Sequence, residues 1–123
     1  MNKFEDERGI IEDLKVGKDW SVTYITFKKG AVRGNHFHKE TKQFDLVLSG
    51  KLLAKIDISD FATTRGKIDD EAVLQRGDFQ SLRAKIPHVY KALEDSEMIS
   101  MCFGKRIGEN YEEDTFRLET PLL

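Results

Sequence analysis

The sequence predicts an all-β fold, a sandwich or barrel of short antiparallel strands, and three observations predict it. Side-chain character alternates with period two. The alternating segments are rich in β-branched and aromatic residues, which favour a pleated sheet over a helix. Turn signals recur at close intervals, a spacing that argues for a sandwich or barrel rather than for alternating β and α units.

Residues 4–14 contain a turn at Asp6-Glu7-Arg8-Gly9 and a strand beginning at Ile10-Ile11. In 20–27, Trp20, Val22 and Tyr24 alternate with Ser21, Thr23 and Ile25, and Lys28-Lys29-Gly30 ends the strand. Residues 34–39 form a short strand and 44–48 the next, with Ser49-Gly50 as a tight turn into a strand over 51–58. The polar stretch 59–70 is expected to be a long exposed loop. Strands at 71–75, 79–82, 87–93 and 98–103 come next, separated by the turns Arg76-Gly77-Asp78 and Glu94-Asp95-Ser96-Glu97. Trp20, Phe27, Phe44 and Phe79 are expected in the core. The tail 108–123 mixes apolar residues with acids. It is expected to pack on the sheet or on a partner subunit, and Glu109–Glu113 to be a solvated face.

Length and charge narrow the function classes. A chain of 123 residues fits one domain spanning 1–123 and can bury a core without disulfide or metal staples. Lys plus Arg is 20 and Asp plus Glu is 22, a net charge of −2. That balance offers no basic footprint for nucleic acid and no polybasic membrane anchor. The single cysteine, Cys102, lies in an apolar run and is expected to be buried and inert. The polar N-terminal stretch has no apolar signal region, so a cytoplasmic location is expected.

The chemistry-bearing residues are the three histidines, His36, His38 and His88. On a strand, positions two apart share a face, so His36 and His38 project into one space and Phe37 points away. Gln43 opens the following strand and can turn back toward that pair. Such a cluster suits proton transfer, because imidazole titrates near neutral pH. It equally suits a divalent metal, held by three imidazoles and one oxygen.

The spacing of these residues resembles the two motifs of the cupin superfamily. Gly30, five residues, His36-Phe37-His38, four residues, Gln43, six residues and Gly50 fit the first motif, with Gln43 where glutamate is usual. Gly77 and His88 keep the spacing of the second, although Arg83, Lys85 and Ala92 replace its usual Pro, Gly and Asn. The two motifs cover residues 30–92. The resemblance implies a jelly-roll or double-stranded β-helix barrel, with His36, His38, Gln43 and His88 facing its interior.

The run Arg33-Gly34-Asn35-His36-Phe37-His38-Lys39, with Gln43 beyond it, further resembles the nucleotide-sugar branch. That branch includes sugar 3,4-ketoisomerases and the cupin half of some nucleotide-sugar reductases. Asp6-Glu7-Arg8-Gly9 is similar to the opening of deoxysugar 3,5-epimerases. These likenesses imply a nucleotide-linked keto-deoxysugar as ligand, metal-free acid–base catalysis by His36 and His38, and a homodimer built by sheet exchange.

Within that expectation His38 is the candidate base and His36 its partner. Arg33 suits a diphosphate, because its planar fork matches phosphate geometry. Arg83 and Lys85 are alternatives to it. Gln43, His88, Tyr24 and Tyr90 are candidate substrate contacts. Arg8 serves either the N-terminal turn or the ligand. Two readings compete with the isomerase: a cupin holding Zn, Mn, Fe or Ni through His36, His38, Gln43 and His88, and a non-catalytic sugar-binding module. Replacing a carboxylate by the neutral Gln43 amide weakens the pull on a dication and favours the organic ligand.

Overall fold

A computed structural model describes residues 2–57, 69–104 and 114–123. Among them are eleven strands: β1 (Lys3–Asp6), β2 (Gly9–Val16), β3 (Trp20–Phe27), β4 (Val32–Phe37), β5 (Lys42–Ser49), β6 (Lys51–Asp57), β7 (Asp69–Gln75), β8 (Phe79–Leu82), β9 (His88–Ala92), β10 (Ser96–Phe103) and β11 (Phe116–Arg117). They form two antiparallel sheets in the order β1-β2-β3-β10-β5-β8 and β11-β4-β9-β6-β7. This is the jelly roll expected from the sequence. The expected loop at 59–70 falls mostly outside the described residues, and Asp69 and Asp70 already belong to β7. The face expected at 109–113 is also outside them. No helix among the described residues is long and apolar enough to cross a membrane.

Each inner strand carries one face to the interior. On β5 the buried residues are Gln43, Asp45 and Val47, and on β9 they include His88, Tyr90 and Ala92. Val47, Ala92, Leu52, Ala54, Met98 and Phe27 cluster with Tyr90 into an apolar core between the sheets. Burying a Val, Leu, Met or Phe side chain contributes about 1.5–3 kcal/mol, so this cluster holds the two sheets face to face.

The alternation also corrects the expected core. Phe27 is 2% exposed, but Trp20 is 38% and Phe79 55% exposed. Phe44 sits between inward-facing Gln43 and Asp45, so it must point outward. There it stacks on Phe79 at 5.9 Å and meets Phe103 edge-on at 5.8 Å. These aromatics decorate the outer face of the larger sheet. Cys102, by contrast, is buried as expected.

The tail folds back onto the smaller sheet. In β11, Phe116 pairs with Phe37 and Arg117 with His36. Asn35 anchors the residues beyond β11: its carbonyl accepts from Leu118 N–H and its side-chain oxygen from Leu122 N–H. The segment therefore becomes a strap across the end of the barrel that holds the histidines.

Candidate functional site

A bulge in β4 builds the site. Arg33 pairs with Tyr90 and Gly34 with Val89, but His36, not Asn35, pairs with His88. One residue is inserted, and both Gly34 (φ 111°) and Asn35 (φ 56°) take positive φ. A side chain on Gly34 would place its Cβ 2.8 Å from the His88 carbonyl, so only glycine allows this approach. In a regular strand, positions 33 and 36 would face opposite sides. The extra residue restores their phase, and Arg33 and His36 both point inward.

The three histidines converge. Ring centroids lie 4.9 Å apart for His36 and His38, 4.7 Å for His36 and His88, and 5.3 Å for His38 and His88. One nitrogen from each lies within 4.8 Å of the others, and all three side chains are buried. Two tautomers are assigned by carbonyl acceptors. His38 Nδ1 lies 2.8 Å from the Asp114 carbonyl and His88 Nδ1 lies 2.9 Å from the Ile86 carbonyl. A carbonyl only accepts, so each Nδ1 carries a proton, and in the neutral ring each Nε2 presents a lone pair that can serve a cation or ligand. His38 Nε2 lies 3.2 Å from Gln43 Oε1.

The site opens into a cavity of about 270 Å³. His36, Gln43, His88, Tyr90 and Arg33 line it, and Ile25, Phe27 and Met98 form its apolar side. The structure thus brings together most of the expected site residues, with three corrections. His38, expected as the base, is not on the cavity wall. It lies behind, held between the Asp114 carbonyl and Gln43. Tyr24, expected as a substrate contact, lies on the outer face of β3, opposite Ile25 and Phe27. Its hydroxyl donates to Glu97, which raises the phenol's pKa and lowers that of the carboxyl. Arg83 and Lys85 are exposed and away from the cavity.

Arg8 anchors the N-terminal turn and also reaches the cavity wall. Its guanidinium forms a salt bridge of 2.6 Å with Asp6 across the β1–β2 turn. Arg33 is 7% exposed. One of its nitrogens donates to the Thr26 carbonyl at 3.2 Å, and the guanidinium lies 5.4 Å from the Phe27 ring centroid. Its Nε and Nη1 are buried and make no hydrogen bond to the described residues. Burial, and then repulsion from Arg8, pull its pKa down, yet guanidinium stays protonated. A buried, incompletely paired cation is costly, and an anion in the cavity would offset that cost.

Other contributors escaped the sequence reading. Asp45, 0% exposed, accepts from Gln43 Nε2 at 2.9 and 3.1 Å and from the Tyr90 hydroxyl at 2.5 Å. The only sequence signal is an acid inside an apolar strand. Tyr90 is pushed well above the usual tyrosine range, first by burial and then by the Asp45 charge, so it stays a neutral donor. Asp114 is buried and caps three backbone N–H groups, from Lys39, Glu40 and Thr41, at 2.8–2.9 Å. Its own backbone carbonyl is the one that fixes His38. Burial opposes its ionisation, but the hydrogen bonds from Glu40, Thr41 and Lys39 outweigh that and hold its pKa below the ordinary value. Thr115 and Arg117 complete the wall from the strap. No local pattern in the sequence marks these tail residues.

No family model matches the chain, and no curated protein does. Solved structures do. CapF, a capsular polysaccharide assembling protein from Staphylococcus aureus, matches with TM-score 0.75 and 21% identity, over 97% of this chain and 32% of its own. KdgF from Halomonas sp. matches with TM-score 0.68 and 21% identity, over 86% of this chain and 88% of its own. A single-site variant of oxalate decarboxylase from Bacillus subtilis matches with TM-score 0.73 and 21% identity, over 95% of this chain and 30% of its own. The chain therefore spans about a third of CapF and of the decarboxylase, and most of KdgF.

Proposed function

Because the chain has the cupin fold, we propose that it binds an anionic keto-sugar, in its nucleotide-linked form, and isomerises or epimerises it by proton transfer beside the carbonyl. Arg33 carries this reading. A buried guanidinium on the same cavity wall as two imidazoles, with two nitrogens that have no acceptor among the described residues, favours a ligand that brings negative charge. From Arg33 (buried) through Arg8 (partly buried) to Arg117 (exposed), the guanidinium groups run from the interior to the rim. That gradient suits a diphosphate leaving the cavity. A cavity of about 270 Å³ lies just below the roughly 300–1,000 Å³ of sites for drug-sized ligands. It suits one sugar ring, with the nucleoside outside.

The reaction needs a base for the C–H bond next to the carbonyl. As that bond breaks, its electron pair forms a carbon–carbon double bond and the carbonyl oxygen becomes an enolate. Returning the proton to another carbon, or to the other face, completes the change. His36 is the histidine on the wall in register with β9 and takes the role first expected of His38. Arg33, a cation on the cavity wall with Nε and Nη1 making no hydrogen bond to the described residues, is the donor for the oxygen that gains charge.

A second reading is favoured by one observation, the 3.2 Å approach of Gln43 Oε1 to His38 Nε2. Two ligands of one cation, each about 2.1 Å from it, sit at such a spacing. The donor set therefore fits a divalent cation held by His36, His38, His88 and Gln43. Bound there, the cation would polarise the substrate carbonyl as a Lewis acid. The imidazoles would then hold it instead of moving protons.

Incubation with a nucleoside-diphosphate-linked 4-keto-6-deoxysugar in D2O tests the proposal. Deuterium should enter the sugar, and His36→Ala should abolish the exchange. Absence of both exchange and a thermal shift across a panel of nucleotide sugars would refute it. Exchange by the wild type that disappears with a chelator and returns on adding a divalent cation would select the cation reading.

A further inference from the structure

Gln43 has two chemically opposite ends, a carbonyl oxygen and an NH2, that differ little in shape. Only the oxygen can serve a cation. What decides which end faces the histidines is Asp45, two residues along the same strand and on the same face. Its carboxylate only accepts, and it takes the Gln43 NH2 on both oxygens, at 3.1 and 2.9 Å. Turning the amide over would set its oxygen against that carboxylate with no proton between them. The Tyr90 hydroxyl, on the facing sheet, donates to Asp45 Oδ2 and stops the carboxylate from rotating away.

The other side of the amide makes the same demand. His38 Nδ1 is committed to the Asp114 carbonyl, so a neutral His38 presents a lone pair at Nε2. That lone pair faces the Gln43 oxygen at 3.2 Å. Two lone pairs at this distance repel unless a positive charge lies between or beside them. Turning the amide would relieve that repulsion by donating N–H to Nε2, and Asp45 forbids the turn. The amide is held in the orientation that is costly alone and favourable beside a cation.

We propose that Asp45, braced by Tyr90, is a positioning residue that locks the Gln43 oxygen toward the three histidines; this rests on the cation reading of the site. A buried carboxylate behind an amide ligand also returns part of the negative charge that glutamine lacks. The amide spreads that charge toward its oxygen through its own hydrogen bond.

Metal-stripped protein is titrated with Zn(II) and Co(II) against a chromophoric chelator, and the Co(II) absorption spectrum is recorded. Wild type should bind. Asp45→Asn leaves one oxygen for two donors and lets the amide turn, so affinity should fall about 10–100-fold. The exchange Gln43→Glu with Asp45→Asn puts the carboxylate on the cation and an NH2 donor behind it. It should restore binding to within a few-fold of wild type, with a comparable Co(II) spectrum. Should Asp45→Asn lose its fold by circular dichroism, Tyr90→Phe, which frees the carboxylate to rotate, should still weaken binding a few-fold. Wild-type affinity in Asp45→Asn, or no recovery in the exchanged pair, overturns the proposal. No metal binding by wild type overturns the cation reading itself, and with it the role of Asp45.

Discussion

The two ends of the barrel interior are built from the same strands and behave as opposites. Along β5 the inward residues run Gln43, Asp45, Val47, and along β9 they run His88, Tyr90, Ala92. One end, with Val47, Leu52 and Ala92, is an apolar core. The other holds three imidazoles, a buried guanidinium and two buried carboxylates. Tyr90 and Asp45 mark the boundary, and their hydrogen bond closes it. The difference teaches where stability and chemistry reside. The apolar end supplies the free energy that lets the polar end keep groups that would be unfavourable alone.

Mutations at the two ends should therefore separate stability from binding. The largest stability effect belongs to the apolar end. Leu52 is 0% exposed, and Leu52→Ala should cost about 2–5 kcal/mol in urea denaturation through lost burial and the cavity left behind. A cost under about 1 kcal/mol would mean that the two sheets are not held together there.

Asp114→Asn comes next, at about 1–3 kcal/mol, since buried donors lose a charged acceptor. Its pH dependence is signed. The folded pKa lies below the ordinary 3.8, so the stabilisation is complete above that value and is lost as pH falls through the lower folded value. The gap between the variant and wild type should shrink as pH falls below the ordinary carboxylate value, as followed by denaturation at a series of pH values. A gap that widens toward low pH contradicts the assignment.

At the polar end, Arg33→Met removes a buried charge lacking full pairing. Stability should change by less than about 1 kcal/mol or rise, while thermal stabilisation by nucleotide sugars disappears. Loss of stability with binding intact would reverse the reading of Arg33. The smallest effect is expected outside the barrel. Phe79 is 55% exposed, and Phe79→Ser should shift stability by no more than about 0.5 kcal/mol. A core-sized loss would show the outer aromatic cluster to be covered.

Much of the site was legible from local geometry. Period two places His36 and His38 on one face, and motif spacing brought in Gln43 and His88. Arg33 was reached by resemblance, because its phase with His36 depends on one inserted residue, Asn35, and on the contact of Gly34 with β9. Alternation has a period but no sign. It could not say which face of β3 or β5 was inside, and so Tyr24, Phe44 and Trp20 were placed on the wrong side. Asp45 shares a face with Gln43, yet its role needs Tyr90, which is 45 residues away.

Sequence alone determined the β class, the boundaries of the strands between β2 and β10 to within a few residues and the convergence of the histidine pair, because these arise from backbone period and turn chemistry between near neighbours. Tertiary structure decided the rest: the bulge, the partners of Gln43 and His38, and the strap that brings Asp114 to His38 across 76 positions. Those contacts join strands distant in the chain, and their geometry exists only once the two sheets have closed on each other.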